Sequence, residues 1–324
     1  MKLAPWLLEP WRQLQARRSA DRLPHALLLA TPAGLGKRSL AKALQASLLC
    51  SSPDAQGFAC GHCRACQFLA AGSHADAINL TFGLRDDGKV RTEIVVDQIR
   101  ALCERFAQTS ARGGWRVAII DPADALNHNA ANALLKTLEE PETGVLMILV
   151  ADDMARLPAT IRSRCQRIDI AGPNRAEGVA WLLTQGAAAD DAASALDLAD
   201  GNPGEALLML APEARRMVSA LIADIAGLAE GKELAPIAAR WSDEGADLRL
   251  RTLARLITAA MRSEESASSS PELQRMAAII VHADFRKLSR CWDKLNWSRG
   301  QLSSPLRSDL LIIDTLVDLR EALR

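Results

Sequence analysis

The first half of the chain alternates short, uninterrupted apolar runs with longer stretches whose apolar positions recur every three or four residues. The runs are HALLLA (His25 to Ala30), INLTF (Ile78 to Phe82), RVAIID (Arg116 to Asp121), VLMILVA (Val145 to Ala151) and QRIDI (Gln166 to Ile170). Consecutive apolar positions predict strands covered on both faces. Between them, EIVVDQIRALCERF puts Val95, Ile99, Leu102 and Phe106 on one helical face, and NAANALLKTLEE does so with Leu134, Leu135 and Leu138. Strand and helix in alternation imply a mainly parallel α/β sheet. Beyond about Ala171 the strand pattern stops. GPNRAEGVAWLLTQG and DAASALDLADGNPGEALLML predict short helices, the latter stretch broken at GNPG. Longer helices follow from about Glu213, with SEESASSSP (Ser263 to Pro271) as a polar hinge between two of them. Three regions are expected: an α/β domain over 1–170, a small helical domain over 171–212 and an all-helical domain over 213–324.

A length of 324 residues accommodates two or three domains with a real core. Lys plus Arg and Asp plus Glu both number 39, so the formal charge is zero. That excludes coating of nucleic acid by bulk electrostatics, and any DNA contact must come from a local patch. The opening MKLAPWLLEPW is too short and too broken by Pro and Glu for a signal peptide. VLMILVA, the longest clean apolar run, is far below bilayer length. A cytosolic protein is expected.

In a reducing cytosol the seven cysteines need a reason other than disulfides. Cys103, Cys165 and Cys291 are scattered and read as small apolar residues. Cys50, Cys60, Cys63 and Cys66 fall in one short window, the spacing with which turns present thiolates to tetrahedral zinc. Gly57 and Gly61 supply the tight backbone of a metal knuckle, and His62 is a competing ligand that four cysteines make unnecessary. Buried free thiols or a redox pair are the other readings. With all four positions filled, the zinc would be structural rather than catalytic.

TPAGLGKRSL, Thr31 to Leu40, follows the first apolar run and opens a helical stretch. A phosphate loop reads G-x-x-x-x-G-K-[ST] between strand and helix, with backbone N–H groups and Lys on phosphates and the hydroxyl on magnesium. Gly36 and Lys37 match, and Gly34 adds backbone freedom, but Thr31 replaces the first Gly and Arg38 the hydroxyl residue. Ser39 is one residue late, about 100° around the helix. The plainer reading is a glycine turn before a helix with a surface lysine. Hydrolysis also wants an acidic strand end: RVAIIDPAD offers Asp121, yet Pro122 follows where a water-orienting Glu belongs, and Asp124 lies three positions beyond. Two separate elements of the chemistry are broken, so ATP hydrolysis is not expected.

LPHALLLATPAGLGK, RVAIIDPADALNHNAANALLKTLEEP and RLPATIRSRCQRI, in that order, resemble the AAA+ module of bacterial clamp loaders. The resemblance covers about residues 1–210 by motif and the rest by helical layout. It implies a RecA-like, P-loop-type parallel sheet over 1–170 with a zinc module inserted at about 50–66, a helical lid over 171–212 and a helical collar over 213–324. In that family the gamma and tau subunits are ATPases with complete motifs; this chain resembles the subunits whose motifs are damaged. The resemblance puts the sensor of the fourth strand at Ala151 and Asp152 and finds Gly204 where the lid arginine belongs. It gives the zinc ligands as Cys50, Cys60, Cys63 and Cys66. It also assigns Arg164, in Ser163-Arg164-Cys165, as a finger reaching the ATP of a neighbouring subunit, a task that suits the planar guanidinium. Without the family, Arg164 reads as a surface arginine paired to a carboxylate.

The implied function is a non-hydrolysing subunit of the DNA polymerase III clamp loader, without bound ATP. Its partners would be the gamma/tau ATPase subunits and the delta subunit in a hetero-oligomeric ring, with the sliding clamp and primed DNA reached through the complex, and no membrane. The alternatives are an active clamp-loader ATPase, opposed by Arg38 and Pro122, and a DNA-binding zinc module, which lacks the basic and aromatic stretch such modules use.

Overall fold

The five apolar runs form one parallel sheet in the order β2-β3-β4-β1-β5: β1 is Ala26–Ala30, β2 Ala77–Leu80, β3 Arg116–Ile120, β4 Val145–Ala151 and β5 Gln166–Arg167. The chain is described by a computed structural model over residues 2–85, 87–107, 114–242, 245–263, 270–302 and 306–323. It divides into two compact units, 1–172 and 173–324.

In the first unit the sheet buries both faces, which is why its strands read as unbroken apolar runs. Leu27 and Leu29 of β1, with Val117, Ile119, Leu146, Ile148 and Val150, pack against α1 (Leu8–Ser19) and α2 (Lys37–Leu49). The alternate residues Leu28, Ala118, Ile120, Met147 and Leu149 pack against α4 (Val96–Ala107) and α5 (His128–Glu139). The short α3 (Arg64–Ala70) and α6 (Ala159–Arg162) complete the unit. Two expectations shift. The fifth run pairs with β1 at only two positions, Gln166 and Arg167, although the Ile168 N–H still donates to Leu28 O and Ile168 and Ile170 bury their side chains. Val95 precedes α4 and is half-buried, while Ile94 fills the core in its place, its N–H donating to Ala125 O.

The second unit is helical, with no strand among its described residues: α7 (Arg175–Thr184), α8 (Ala189–Leu198), α9 (Pro203–Met209), α10 (Pro212–Ala229), α11 (Leu234–Trp241), α12 (Ala246–Ser263), α13 (Pro271–Ile280), α14 (Phe285–Gln301) and α15 (Ser308–Ala322). One buried cluster runs from Leu182 to Ala322, so the short and the long helices share a core. Buried Glu205 on α9 accepts from Arg251 and Arg255 on α12, joining the two sets. Residues 264–269 of the expected polar hinge lie outside the described residues. Among those described, no helix is long and apolar enough to cross a membrane.

Candidate functional site

The carboxyl ends of β1, β3 and β4 meet where strand order reverses around β1, the position at which open parallel sheets bind ligands. After β1 the chain turns through Gly34 (φ 92°) and Gly36 (φ 87°), left-handed conformations that favour glycine, and Gly36 caps α2. The loop therefore has a strand before it and a 13-residue helix after it. Lys37 and Arg38 start α2, Asp121 follows β3 and Asp152 follows β4.

These four side chains satisfy one another. Lys37 is only 1% exposed; its ammonium donates to the Thr31 carbonyl at 2.6 Å and to Asp152 Oδ1. The Arg38 fork is shared: Nε donates to Asp121 Oδ1 and Oδ2 at 3.0 and 2.8 Å, while the terminal nitrogens donate to Asp152 at 3.0 and 2.9 Å. Asp124, beyond cis-Pro122, accepts from the backbone N–H groups of Asp152 and Asp153 at 3.4 and 3.1 Å and so fixes the turn that carries Asp152. Two cations face two carboxylates.

The electrostatics follow. Burial lowers the Lys37 pKa, opposed by the hydrogen bond and charge of Asp152. Burial alone would raise the Asp152 carboxyl, but hydrogen bonds from Arg38 and Lys37 outweigh it and hold the group below the usual carboxylate range. Arg38 is raised, chiefly by Asp152 and then, against burial, by Asp121. The surface-lysine reading is thus corrected: Lys37 sits inside the fold, where only a paired ammonium is tolerated. Arg38 also does more than omit a hydroxyl, since it binds the carboxylate expected to serve magnesium.

The four cysteines converge in the same unit. The Sγ atoms of Cys50, Cys60, Cys63 and Cys66 lie within 4.8 Å of one another, with Cys50–Cys60 at 3.6 Å, Cys50–Cys63 at 3.9 Å and Cys60–Cys66 at 4.0 Å. Four sulfurs about 2.3 Å from a tetrahedral zinc stand about 3.8 Å apart, so the set fits the ion. Backbone N–H groups of Cys60, Cys63 and Cys66 donate to the sulfurs of Cys50, Cys60 and Cys63 at 3.3, 3.4 and 3.5 Å, and Gly61 (φ 81°) makes the turn. Hydrogen bonds from Ser51, then from the Cys66 N–H, lower the Cys63 thiol to about 5; Ser52 and two backbone donors lower Cys60 to about 7. Burial pushes Cys66 up to about 12. The exposed His62 lies outside the group, its ring Nδ1 against the Cys60 carbonyl. Away from the cluster, burial pushes Cys165 and Cys291 up to about 12, as inert apolar residues.

Arg164 follows α6, and its guanidinium is engaged within the chain: Nε donates to Glu139 Oε1 at 2.8 Å and a terminal nitrogen to the Thr160 carbonyl at 3.0 Å. Its side chain is 34% exposed, and that of Glu139, the last residue of α5, is 50% exposed. Gly204 is the second residue of α9 in the helical unit. The pattern of the chain did not single out Glu139 as a partner, nor Trp6, Leu7 and Trp11 as neighbours of the loop and the cysteines; only the two indoles in a short, Pro-broken segment hint at them.

A family profile described as DNA polymerase III, delta subunit, matches residues 8–174. The chain is 42% identical over 203 residues to the DNA polymerase III subunit delta' of Pseudomonas aeruginosa, an alignment covering 61% of this chain and 58% of that protein. It is 32% identical over 330 residues to the DNA polymerase III subunit delta' of Escherichia coli (strain K12), covering 100% of this chain and 97% of that one. Among solved structures, a DNA polymerase III gamma subunit-related protein from Thermotoga maritima matches with a TM-score of 0.47 and 17% identity, over 97% of this chain and 100% of that chain.

Proposed function

The chain belongs to the DNA polymerase III delta-prime family, and from that premise we propose that it is a non-hydrolysing subunit of a clamp loader. In this reading it braces a hetero-oligomeric ring with gamma/tau-type ATPase subunits and a delta subunit. It lends Arg164 to a neighbour's ATP and so supports placement of the sliding clamp on primed DNA by the cytoplasmic polymerase holoenzyme. The helical unit supplies the lid (171–212) and the collar (213–324) through which the ring assembles.

The observation that carries the reading is the closed set Lys37, Arg38, Asp121 and Asp152. A nucleotide's phosphates would have to displace Asp152 from Lys37, and magnesium would have to displace Arg38 from Asp121. Both exchanges break charge-assisted hydrogen bonds in a partly buried site, so an incoming triphosphate finds its ligands already taken. An active ATPase would need Arg38 out of the site and a base in place of Pro122. No side-chain rotation supplies the base that Pro122 lacks.

Arg164 differs, because its partner is exposed. A surface Arg–carboxylate pair contributes about 0–1 kcal/mol, so exchanging Glu139 for the phosphate oxygens of an adjacent subunit costs little. The planar fork then stabilises charge on the transferring phosphoryl group. Cys50, Cys60, Cys63 and Cys66 would hold one zinc ion, which supplies a tetrahedral cross-link of the 50–66 segment and no open coordination position.

The experiment compares ATP turnover of an assembled clamp loader with and without this chain, beside calorimetry of ATP with the chain alone. The complex is expected to need the chain for DNA-stimulated turnover, while the isolated chain neither turns over ATP nor binds it at micromolar concentration. Magnesium-dependent turnover by the isolated chain would overturn the reading.

A further inference from the structure

Helix α1 lies between the two features described above. On one side Trp6, just ahead of it, donates its indole N–H to the Leu35 carbonyl of the phosphate loop at 2.9 Å. Leu7 is fully buried against the same loop, and a Cβ added at Gly36 would come within 2.8 Å of its Cδ1. On the other side Trp11 stacks on Phe58 of the cysteine segment, with centroids 4.5 Å apart and planes 9° from parallel, and donates its indole N–H to the Gln56 carbonyl at 2.9 Å. Gln15 packs on Gly57 so closely that a Cβ there would fall 2.5 Å from Gln15 Cδ. Arg18 donates to Ser47 Oγ at 2.7 Å, and that hydroxyl donates onward to the Gly57 carbonyl. Gly36 (φ 87°) and Gly57 (φ 84°) thus leave room for Leu7, just ahead of α1, and Gln15, within it, one in the loop and one in the cysteine segment.

Helix α1 owes its place to packing. It is 12 residues long, its N-cap Leu7 makes no side-chain cap bond, and it is seated by Trp11 and Leu14, which are buried in the core of the first unit. A helix of this length is marginal in water, and packing decides its position. Residues 51–59, which carry Gln56, Gly57 and Phe58, have neither helix nor strand; they lie between Cys50 and Cys60. Within this stretch Asp54 Oδ1 accepts from the Gln56 and Phe58 N–H groups, and the cysteines hold its two ends.

We propose that the four-cysteine module is a clamp on α1, and that through Trp6 and Leu7 the helix holds the phosphate loop in its closed conformation. The proposal rests on the reading of the cysteines as a zinc site. A metal cross-link orders residues 56–58, those residues seat Trp11 and Gln15, and the seated helix presses Leu7 onto Gly36. Removing the metal should therefore loosen the helix and the loop together, while leaving the central strands alone.

Hydrogen exchange on the full chain, with zinc content measured on the same samples, tests this. In protein stripped by a chelator, amides of residues 8–19 and 31–38 should exchange about tenfold faster or more, with β3 and β4 unchanged. Phe58→Ala, which removes the stacking partner but no sulfur, should retain zinc and show the same faster exchange; this arm decides the matter if the stripped protein unfolds throughout. Full protection of α1 and the loop in zinc-free folded protein, or in zinc-loaded Phe58→Ala, would overturn the clamp while leaving the zinc site standing. Folded protein that takes up no zinc would overturn the metal reading and the clamp with it.

Discussion

Replacing Asp152 with Asn changes the charge of the loop and little of its shape. Lys37 and Arg38 contribute two positive charges and Asp121 and Asp152 two negative ones, so the set goes from zero to one positive charge. The Lys37 ammonium keeps the Thr31 carbonyl and Arg38 keeps Asp121, but the ammonium, 1% exposed, loses the carboxylate it is hydrogen-bonded to. Breaking a fully buried pair from one side costs about 3–5 kcal/mol. Here Asp152 and Arg38 are each 39% exposed, so solvent shares the charge and the expected loss falls to about 1–3 kcal/mol. For a unit of 172 residues that corresponds to a melting temperature lower by about 3–10 °C. Scanning calorimetry of wild type and Asp152→Asn measures it. Inorganic tripolyphosphate at matched ionic strength should restore much of the loss in the variant and do nothing for wild type, because only the variant has a cation to spare at the helix N-terminus. A variant within about 0.5 kcal/mol of wild type, the scatter of ordinary surface substitutions, would refute the view that Asp152 is the resident partner of Lys37. Equal stabilisation of both proteins by tripolyphosphate would refute the view that the loop is already filled.

The pH dependence of the same pair has a definite sign. Asp152 is held below its usual range, so its contribution is complete above the unfolded value of about 4 and is lost as pH falls through the folded value; the stability gap between wild type and Asp152→Asn should narrow in acid below that point. Arg164→Ala should leave melting within about 1 kcal/mol of wild type and complex assembly intact, yet lower DNA-stimulated ATP turnover of the complex; Arg164→Lys should not rescue it, and wild-type turnover by the alanine variant would make Arg164 a surface residue. One zinc ion per chain is expected by elemental analysis, with Cys63→Ser lowering both metal content and stability; four freely titratable thiols with no zinc would end that assignment.

Much of this protein was legible in its linear pattern because the signals concerned are local. Apolar residues at consecutive positions are needed wherever a strand is covered on both faces, so β1, β3 and β4 were readable from ALLLA, RVAII and VLMILVA. Thiolate spacing is likewise a property of one short segment, and the four cysteines converge as their spacing implied. The mismatch at Arg38 could be read against the loop motif without any structure. What sequence left open depends on groups brought together from far along the chain. The partner of Lys37 is Asp152, 115 residues away, and that of Arg164 is Glu139, 25 residues away; side-chain pairing across a sheet's edge or between helices leaves no periodic trace. For the same reason a surface lysine stood as one reading of Lys37, beside the phosphate-loop one, until the fold set Asp152, after β4, beside it. The fifth run shows the limit of the apolar pattern: its Ile168 and Ile170 are buried, yet the ladder with β1 stops at Arg167. The placement of α1 is the furthest from sequence: nothing in its linear pattern shows that Leu7, just ahead of it, meets Gly36 or that its Gln15 meets Gly57. Sequence thus determined which residues must be buried and which thiols come together, while the tertiary fold decided which charges meet, since that depends on distances between elements that no local pattern encodes.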